Sequence, residues 1–269
     1  MKTVLITGAS SGIGKETAKL FQAKGWNVIA TMRNPQTEEE LTKLENVKVI
    51  PCDVTNQESI KTAVAEGVAT FGGVDVLVNN AGYYTLGPLE AATHEQIKRQ
   101  LDTNLLGLIE VTQAVIPYFR KQKSGTIINI SSIAGIVSIP LQSLYHATKW
   151  GVEGFSESLH YELRPFHIRV RIIEPGIIKT DFYGRSMTKL QDSALPEYED
   201  YAKKVVNNIH ANGEKGSSPE GVAQTIYKAA VSHRKKLRYS KGKLKMLIPL
   251  RQILPVTLFA FLMRSAMER

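Results

Sequence analysis

The sequence contains little cysteine and no hydrophobic run long enough to cross a membrane. The single cysteine, Cys52, cannot form an internal disulfide, and no Cys/His cluster has the spacing of a structural zinc site. The apolar run 252–263 contains Pro255, and at about 12 residues it is shorter than the about 20 that a spanning helix needs. The first residues lack the pattern of a secretory signal peptide. These absences exclude a disulfide scaffold and a zinc module, and they predict a cytoplasmic protein without a metal site.

Acidic residues are almost missing from the C-terminal part of the chain. Residues 221–269 hold eleven Lys and Arg against one acid, Glu268, so their net charge is +10. The preceding 220 residues have a net charge of −1. The basicity of the protein therefore belongs to a C-terminal segment, 234–269, and not to the body of the chain.

The remaining composition is that of an ordinary globular domain, with 43% apolar and 22% charged residues. Short runs rich in Val and Ile alternate with segments of helical period. The predicted strands are 3–7, 27–31, 47–51, 74–79, 125–131 and 168–174, and the predicted helices are 13–24, 56–71, 93–122, 143–164 and 219–232. This alternation predicts an α/β fold in one domain, residues 1–269, with a doubly wound parallel sheet and helices on both faces.

A glycine-rich loop follows the first predicted strand and leads directly into the first predicted helix. It reads Thr7-Gly8-Ala9-Ser10-Ser11-Gly12-Ile13-Gly14. Glycines here permit a tight turn and a close approach of the backbone to a pyrophosphate, while the helix N-terminus offers free N–H groups to phosphates. The loop lacks the Gly-Lys-Ser/Thr ending of a nucleotide triphosphatase. We predict a dinucleotide site, with a generic glycine-rich turn as the alternative.

The second predicted strand ends in a base, where a dinucleotide site that prefers NAD carries an acid. The chain there reads Ala30-Thr31-Met32-Arg33-Asn34, and no acid occurs between Glu16 and Glu38. Arg33 can bind a 2′-phosphate with two N–H donors. The sequence therefore favours NADP(H) over NAD(H), unless Arg33 is only a solvated surface charge.

A tyrosine and a lysine lie four residues apart in a predicted helix. Tyr145 and Lys149 at this spacing share one helix face, so a phenol and an ammonium can point into one cleft. The pattern alone is common by chance. It gains weight from Ser132, thirteen residues upstream, which follows a predicted strand at the edge where open parallel sheets bind ligands.

With these motifs the chain resembles the short-chain dehydrogenase/reductase family over nearly its whole length. The shared motifs are Thr7-Gly8-x3-Gly12-x-Gly14, Asp53-Val54, Asn79-Asn80-Ala81-Gly82, Asn104 in Asp-Thr-Asn-Leu, Ser132, Tyr145-x3-Lys149, and Pro175-Gly176 followed by Thr180. The resemblance implies a Rossmann fold and an NADP(H)-dependent enzyme that interconverts a carbonyl compound and its alcohol. The tail motifs Leu237-Arg238-Tyr239 and Leu250-Arg251-x3-Leu254-Pro255 look like those of the group related to 17β-hydroxysteroid dehydrogenases.

The resemblance also implies a role for each catalytic position. Tyr145 would protonate the carbonyl oxygen during reduction, and Ser132 would donate a hydrogen bond to that oxygen. Lys149 would place positive charge beside the phenol, which favours the phenolate, and would bind the nicotinamide ribose. Asn104 would hold a water that links Lys149 to solvent.

The cofactor-binding set that the resemblance implies is larger. The adenosine is expected to lie against Asp53, Val54, Asn80 and Gly82. Ile178 and Thr180 would hold the nicotinamide carboxamide. The full set is Gly8, Ser10, Ser11, Gly12, Ile13, Gly14, Arg33, Asp53, Val54, Asn80, Ala81, Gly82, Tyr145, Lys149, Pro175, Gly176, Ile178 and Thr180.

The predicted substrate pocket is apolar and aromatic, which suits a hydrophobic carbonyl compound better than a sugar or an acid. Its candidate lining residues are Tyr83, Tyr84, Ile133, Val137, Leu141, Gln142, Ile177, Phe182, Tyr183 and Met187. Plain core packing is the alternative for any one of them. The polar stretch 181–218 is long for a connection, so we expect a lid over the site. His146 is expected to lie outside the reaction.

Four roles are open for the basic segment 234–269. It can be structural or cover the substrate cleft, it can pack at a subunit contact, it can lie on a membrane surface, or it can bind nucleic acid. We expect no nucleic-acid partner, because the body is not basic and no recognised nucleic-acid fold is present. The resemblance implies a homo-oligomer that pairs through the helices near 93–122 and 147–164. A non-catalytic nucleotide-sensing protein is the rival function, which the complete Ser–Tyr–Lys–Asn set disfavours.

Overall fold

The computed structural model describes residues 1–180, 186–213 and 216–267 of the chain. Parts of the predicted lid, 181–185 and 214–215, lie outside this description. The strands are β1 Thr3–Thr7, β2 Asn27–Met32, β3 Val47–Pro51, β4 Val76–Asn79, β5 Tyr84–Leu86, β6 Gly125–Ile130, β7 Ile168–Pro175, β8 Met187–Lys189 and β9 Arg238–Lys241. The α-helices are α1 Gly12–Ala23, α2 Gln57–Phe71, α3 His94–Leu101, α4 Gly107–Lys121, α5 Ser143–Glu162, α6 Glu199–Gly213, α7 Pro219–Val231, α8 Leu247–Ile253 and α9 Val256–Met267.

Seven of these strands form one fully parallel sheet in the order β3-β2-β1-β4-β6-β7-β9. Ile6 in the middle of β1 pairs with Ala30 of β2 on one side and with Val78 of β4 on the other. The strand order reverses between β1 and β4, and ligands of such sheets bind at the carboxyl ends of the strands next to this reversal. The predicted single-domain α/β fold of the Rossmann type is confirmed.

Helices cover both faces of the sheet because its central strands are apolar on both sides. Val4 and Ile6 point to one face, where α1 and α7 pack. Leu5 points to the opposite face, where it shares a core with residues of α2, α4 and α5. This alternation along β1 places two separate hydrophobic cores around a sheet that is fully buried at its centre.

The predicted strand and helix boundaries agree with the structure to within two residues, with one exception. The prediction of a single helix over 93–122 is wrong. Helix α3 ends at Leu101, a π-helical turn follows over Asp102–Leu106, and α4 begins at Gly107. The apolar period continues through such a turn, so the sequence pattern does not show it.

Three short strands are additions to the predicted fold. β5 pairs in parallel with β8 in a small sheet of its own, and β9 joins the edge of the main sheet beside β7. These strands have only three or four residues and little apolar alternation, which is why the sequence gives no strand signal there.

The C-terminal helices return to the body of the protein. Helix α9 contacts α6, and the side-chain amide of Asn208 donates a 2.8 Å hydrogen bond to the carbonyl of Met267. Within the described residues, none of the helices combines the length and the apolar character that crossing a bilayer requires.

Candidate active site

A large cavity of about 1190 Å³ lies at the carboxyl ends of the parallel strands. Loops that follow β1, β2, β3, β4, β6 and β7 form one side of it, and residues of α5, α6, α8 and α9 contribute to the other. The volume slightly exceeds that of a typical pocket for a drug-sized ligand, about 300–1,000 Å³, so the cavity has room for an extended ligand.

Most of the expected cofactor-binding residues line this cavity. They are Gly8, Ser10, Ser11, Gly12, Ile13, Arg33, Asp53, Val54, Asn80, Ala81, Gly82, Tyr145, Lys149, Pro175, Gly176, Ile178 and Thr180. Gly14 is the member of the set that the structure places behind the cavity wall, where it contacts the loop backbone rather than open space.

The glycine loop adopts a backbone that favours glycine at two positions. Gly8 and Gly12 have φ angles of 67° and 54°, in the left-handed region. A Cβ atom at Gly8 would lie 2.8 Å from the Cα of Ala81. A Cβ atom at Gly14 would lie 2.3 Å from the carbonyl oxygen of Gly8. The loop can therefore press against the end of β4 only because these side chains are absent.

Asn80 holds the loop in this conformation from the end of β4. Its side-chain amide donates hydrogen bonds of 2.9 and 3.0 Å to the carbonyls of Thr7 and Gly8. The Thr7 hydroxyl accepts the backbone N–H groups of Asn80 and Ala81 in return. The loop is thus fixed, with the N-terminus of α1 and its free N–H groups beside the cavity.

The ends of β2 and β3 supply the polar groups expected around the adenosine. Arg33 is exposed on the cavity wall, and no ion pair holds it among the residues that the structure describes. Asp53 accepts hydrogen bonds of 2.9 and 2.8 Å from the backbone N–H and the hydroxyl of Thr55, which fix the direction of its carboxylate. This wall therefore presents one free guanidinium and one oriented carboxylate.

A second cation on the same wall is already paired. Lys15 lies 3.2 Å from Glu38 and 3.1 Å from Glu40. Burial lowers the pKa of Lys15, but the hydrogen bonds to the two carboxylates outweigh it and leave the pKa above its ordinary value. Of the two cations, Arg33 is the one available to an anionic ligand.

Helix α5 brings the phenol and the ammonium into the cavity. Tyr145 and Lys149 lie one turn apart, and the Nζ atom of Lys149 is 5.7 Å from the centre of the Tyr145 ring. Lys149 donates a 2.8 Å hydrogen bond to the carbonyl of Ile130 at the end of β6. Burial lowers the pKa of Lys149 to about 8, against the opposing effect of the nearby Glu153 carboxylate.

Ser132 reaches the same cavity from the loop after β6. Its hydroxyl accepts the backbone N–H of Ala134 at 3.1 Å and donates to the carbonyl of Pro175 at 3.4 Å. Since Pro175 ends the adjacent strand β7, the hydroxyl is held between the carboxyl ends of two neighbouring strands.

Asn104 is the one catalytic candidate that lies outside the cavity lining. It is buried in the π-helical turn, where its amide oxygen accepts the backbone N–H of Tyr83 at 3.0 Å. Its amide nitrogen donates to the carbonyl of Tyr83 at 2.8 Å and to the hydroxyl of Thr148 at 3.5 Å. Asn104 thus fixes the backbone beside the cavity, and the water expected between Asn104 and Lys149 stays a prediction.

His146 lines the cavity, 6.4 Å from the Tyr145 ring between ring centres, but both of its ring nitrogens are engaged by backbone groups. Its Nδ1 atom lies 2.7 Å from the carbonyl of Ala134, and its Nε2 atom accepts the backbone N–H of Ile139 at 3.0 Å. This pattern assigns the proton to Nδ1, and burial lowers the pKa of the ring. His146 therefore ties the loop before α5 to that helix.

A group of buried charges lies behind Lys149. Glu153 is one turn further along α5, and Arg238 of β9 lies 3.1 Å from Glu153 and 3.2 Å from Glu174 of β7. Burial raises the pKa of Glu153 to about 7, the charge of Glu174 adds to this, and hydrogen bonds from Ser131 and Arg238 act against it. This group was not predicted from the sequence, because its members come from distant parts of the chain.

Beside Ser132 and Tyr145, the cavity lining is mostly apolar. Six of the predicted pocket residues line the cavity, namely Tyr83, Tyr84, Ile133, Val137, Gln142 and Ile177. Leu141 and Met187 pack in an apolar cluster around Tyr145 and Tyr84, whose rings meet edge to face at 5.0 Å. Predicted residues Phe182 and Tyr183 lie outside the described residues.

Helix α6 and the C-terminal helices α8 and α9 contribute apolar lining that was not predicted from the sequence. The cavity is also lined by Ile209, Leu247, Met263, Ala266 and Met267. The spacing of Phe259, Met263 and Met267, four residues apart, is a signal that could have indicated one packed helix face. The structural and cleft-covering role that the sequence left open for segment 234–269 matches this position.

Comparison with known proteins places the chain among oxidoreductases. A family model described as short chain dehydrogenase matches residues 2–191. The chain is 38% identical over 265 residues to an uncharacterized oxidoreductase, YusZ, of Bacillus subtilis, with 94% of each protein covered. It is 38% identical over 245 residues to a 3-ketodihydrosphingosine reductase of Bacteroides thetaiotaomicron, which covers 90% of this chain and 88% of that protein.

Solved structures agree with this placement. A short-chain dehydrogenase from Streptomyces avermitilis gives a TM-score of 0.84 at 32% identity, covering 97% of this chain and 94% of that one. The structure of ElxO with NADP bound gives 0.73 at 29% identity, covering 89% and 97%. The finer resemblance to the group related to 17β-hydroxysteroid dehydrogenases stays a prediction. The glycine loop, the serine–tyrosine–lysine cavity and these matches lead to one conclusion: the chain belongs to the short-chain dehydrogenase family of oxidoreductases.

Proposed function

We propose that this protein is an NADP(H)-dependent reductase of hydrophobic ketones or aldehydes, which in reverse oxidises the corresponding alcohols. One observation carries the proposal. The hydroxyl-bearing residues Ser132 and Tyr145 and the ammonium of Lys149 line the same cavity as the glycine loop, and mostly apolar lining lies beside them.

The residues present fit NADP(H). The Gly8 position has no space for a side chain, and the exposed guanidinium of Arg33 suits a 2′-phosphate. ElxO, a structural neighbour, has NADP bound. Gly8, Gly12 and the N-terminus of α1 would hold the pyrophosphate end, and Lys149, Ile178 and Thr180 the nicotinamide end. The cofactor, when bound, supplies or accepts the hydride.

The side chains of this protein supply the proton and the electrostatic stabilisation. The Tyr145 hydroxyl donates its proton to the carbonyl oxygen of the substrate as that oxygen gains charge. Ser132 donates a hydrogen bond to the same oxygen. The positive charge of Lys149 stabilises the phenolate that remains on Tyr145, and the buried setting strengthens this attraction.

The apolar lining determines the proposed substrate class. Tyr84, Ile209 and Met267 are buried in the cluster that packs around Tyr145. A sugar or a carboxylate would lose its water there without compensating hydrogen bonds. The name of the Bacteroides relative, a reductase of a 3-keto compound, supports a ketone as the substrate.

Replacing Tyr145 with Phe tests the proposal. NADPH oxidation with a panel of bulky ketones and aldehydes should fall by about 10²-fold or more, because the proton donor is lost. NADPH binding, measured by fluorescence titration, should stay within about twofold, since a single neutral hydrogen bond is worth little net affinity. Tyr161→Phe is the matched control, on the exposed side of the same helix, and should keep full activity.

Two outcomes would contradict the proposal. Full activity of Tyr145→Phe would remove the proton-donor role from the phenol. A wild-type protein that binds NADPH but turns over none of the panel would favour the rival function, a nucleotide-sensing protein on the same fold. The homo-oligomer remains a prediction, supported by the exposed apolar side chains of Leu106 and Trp150 near α4 and on α5.

A further inference from the structure

Each of the two C-terminal helices, α8 and α9, exposes apolar side chains along one of its faces. Next to and along α8, Met246, Leu250 and Ile253 are exposed at the spacing of one helix face, and Ile253 is 79% exposed. On α9, Leu258, Phe261 and Leu262 also share one face, and Phe261 is 59% exposed. We call these six residues the tail face. Such a grouping differs from the scattered single apolar residues found on most surfaces.

The tail face is separate from the face by which α9 packs on the protein. Phe259 and Met267 are buried, and Met263 and Met267 line the cavity. These residues lie about 120° or more around the helix from Phe261, whereas Leu262 lies at the boundary between the two faces, about 60° from Phe259. The exposed side chains are thus additional to those that α9 needs for its packing, so stability of the fold does not explain them.

The segment that carries the tail face is strongly basic. Its exposed cations Lys241, Lys245 and Arg264 end β9, follow it or lie on α9, at the edge of the sheet where α8 and α9 line the cavity, whereas Arg234, Lys235 and Lys236 precede β9 at the opposite edge. Residues 221–267 contain no acid, whereas the first 220 residues of the chain are nearly neutral. The guanidinium of Arg251 lies 5.7 Å from the centre of the Phe259 ring, so its charge also stays near the junction of the two helices.

We propose that the tail face docks on the surface of a bilayer that contains anionic phospholipids. Apolar side chains enter the boundary between headgroups and acyl chains, while surrounding lysines and arginines meet the phosphates. Charge complementarity selects this occupant over a second copy of the chain, because two copies of a segment with a net charge of +10 repel each other. The proposal concerns binding and does not depend on the proposed function.

Vesicle co-sedimentation tests the proposal. The full-length protein should bind phosphatidylglycerol/phosphatidylcholine vesicles at about 0.1 M salt and lose most of the binding at about 1 M salt, because salt screens the attraction. Pure phosphatidylcholine vesicles should bind it at least about tenfold more weakly, because each basic residue near an anionic surface contributes about 1 kcal/mol.

Two kinds of variant separate the apolar and the charged contributions. Phe261→Ser and Ile253→Ser should each weaken binding about tenfold, because each variant loses the burial of one large apolar side chain. Lys241→Glu with Lys245→Glu should abolish the preference for anionic lipid. Phe166→Ser, which replaces a phenylalanine that is 39% exposed in the body of the protein, is the matched control and should bind like the wild type. Circular dichroism checks that each variant is folded.

Several results would overturn the proposal. One is failure of the wild type to bind anionic vesicles at low salt. Another is loss of binding in Phe166→Ser as large as in Phe261→Ser. A third is a decrease in molar mass of Phe261→Ser by sedimentation velocity without any vesicle binding, which would identify the tail face as a contact between copies. A shift of a nucleic-acid probe at physiological salt, with no vesicle binding, would also contradict it.

Discussion

Arg33 is the residue that we propose to decide between the two nicotinamide cofactors. It stands exposed at the end of β2, whereas the nearby Lys15 is held by Glu38 and Glu40. Arg33→Ala should weaken NADPH binding by about 10–100-fold, because a charge-assisted hydrogen bond is worth about 1.5–3 kcal/mol. NADH binding should change by about twofold at most, since NADH has no 2′-phosphate to bind. Fluorescence titration of both cofactors measures the difference.

A more conservative substitution at the same position makes this test more specific. Arg33→Lys keeps the charge and loses the planar pair of donors, so its NADPH affinity should fall between those of the wild type and Arg33→Ala. Equal losses for NADPH and NADH in Arg33→Ala would show that the arginine has no part in the choice of cofactor.

For single residues, the sequence predicts how the members of a short motif are placed, but it does not predict contacts between residues that are far apart in the chain. The spacing of Tyr145 and Lys149 was enough to bring both into one cavity. Asn104 was expected at the site, yet its amide binds the backbone of Tyr83, a partner that only the folded chain brings near. No local pattern in the sequence indicates such a contact.

The junction of β1 and α1 is the element on which the proposed cofactor binding depends. A methyl group at Gly14 would overlap the carbonyl of Gly8, a backbone atom that cannot rotate away. Gly14→Ala should therefore displace the start of α1, lower the free energy of unfolding by about 1–3 kcal/mol, and weaken NADPH binding. Thermal melts with and without NADPH measure both effects.

Gly73→Ala is the control for this substitution. A Cβ atom at Gly73, in the loop after α2, would lie 4.0 Å from its nearest neighbour, the side chain of Gln122. Its stability should stay within about 0.5 kcal/mol of the wild type. Normal melting and normal NADPH binding of Gly14→Ala would refute the close packing of loop and helix.

Strands and helices could be predicted from the sequence where their burial gave a clear pattern of apolar residues. The five central strands are buried and rich in Val and Ile, and the sequence located all of them. β9 escaped prediction, because Arg238-Tyr239-Ser240-Lys241 looks like part of a solvated basic tail. In the structure, Arg238 is compensated by Glu153, Glu157 and Glu174, which come from other elements.

On the scale of the whole molecule, the positive charge is concentrated in the C-terminal segment. Arg238 connects this segment to the nearly neutral body of the protein. The basic tail enters the body of the protein at β9, where this arginine meets the buried carboxylates of Glu153 and Glu174. A buried pair of this kind adds little net stability, because both charges lose their hydration. It does make the stability of the whole fold depend on pH.

Glu153 determines the direction of this dependence. Burial raises its pKa from 4.5 to about 7, so between these values the folded protein holds a proton that the unfolded chain has released. The free energy of unfolding should therefore decrease as pH rises from about 4.5 to 7, by an amount on the order of 2 kcal/mol from this group. Glu153→Gln cannot ionise and should show a flatter curve, so that it gains stability relative to the wild type as pH rises. Urea unfolding at several pH values between these limits measures both curves.

The control is the exposed partner of the same arginine. Glu157 lies 2.9 Å from Arg238 with its side chain half exposed, so Glu157→Gln should leave the pH dependence close to that of the wild type. Parallel curves for the wild type and Glu153→Gln would show that Glu153 is ionised throughout this pH range. The carboxylate behind Lys149 would then be fully compensated by Arg238, and the attachment of the basic tail at β9 would stabilise the fold equally at pH 5 and pH 7.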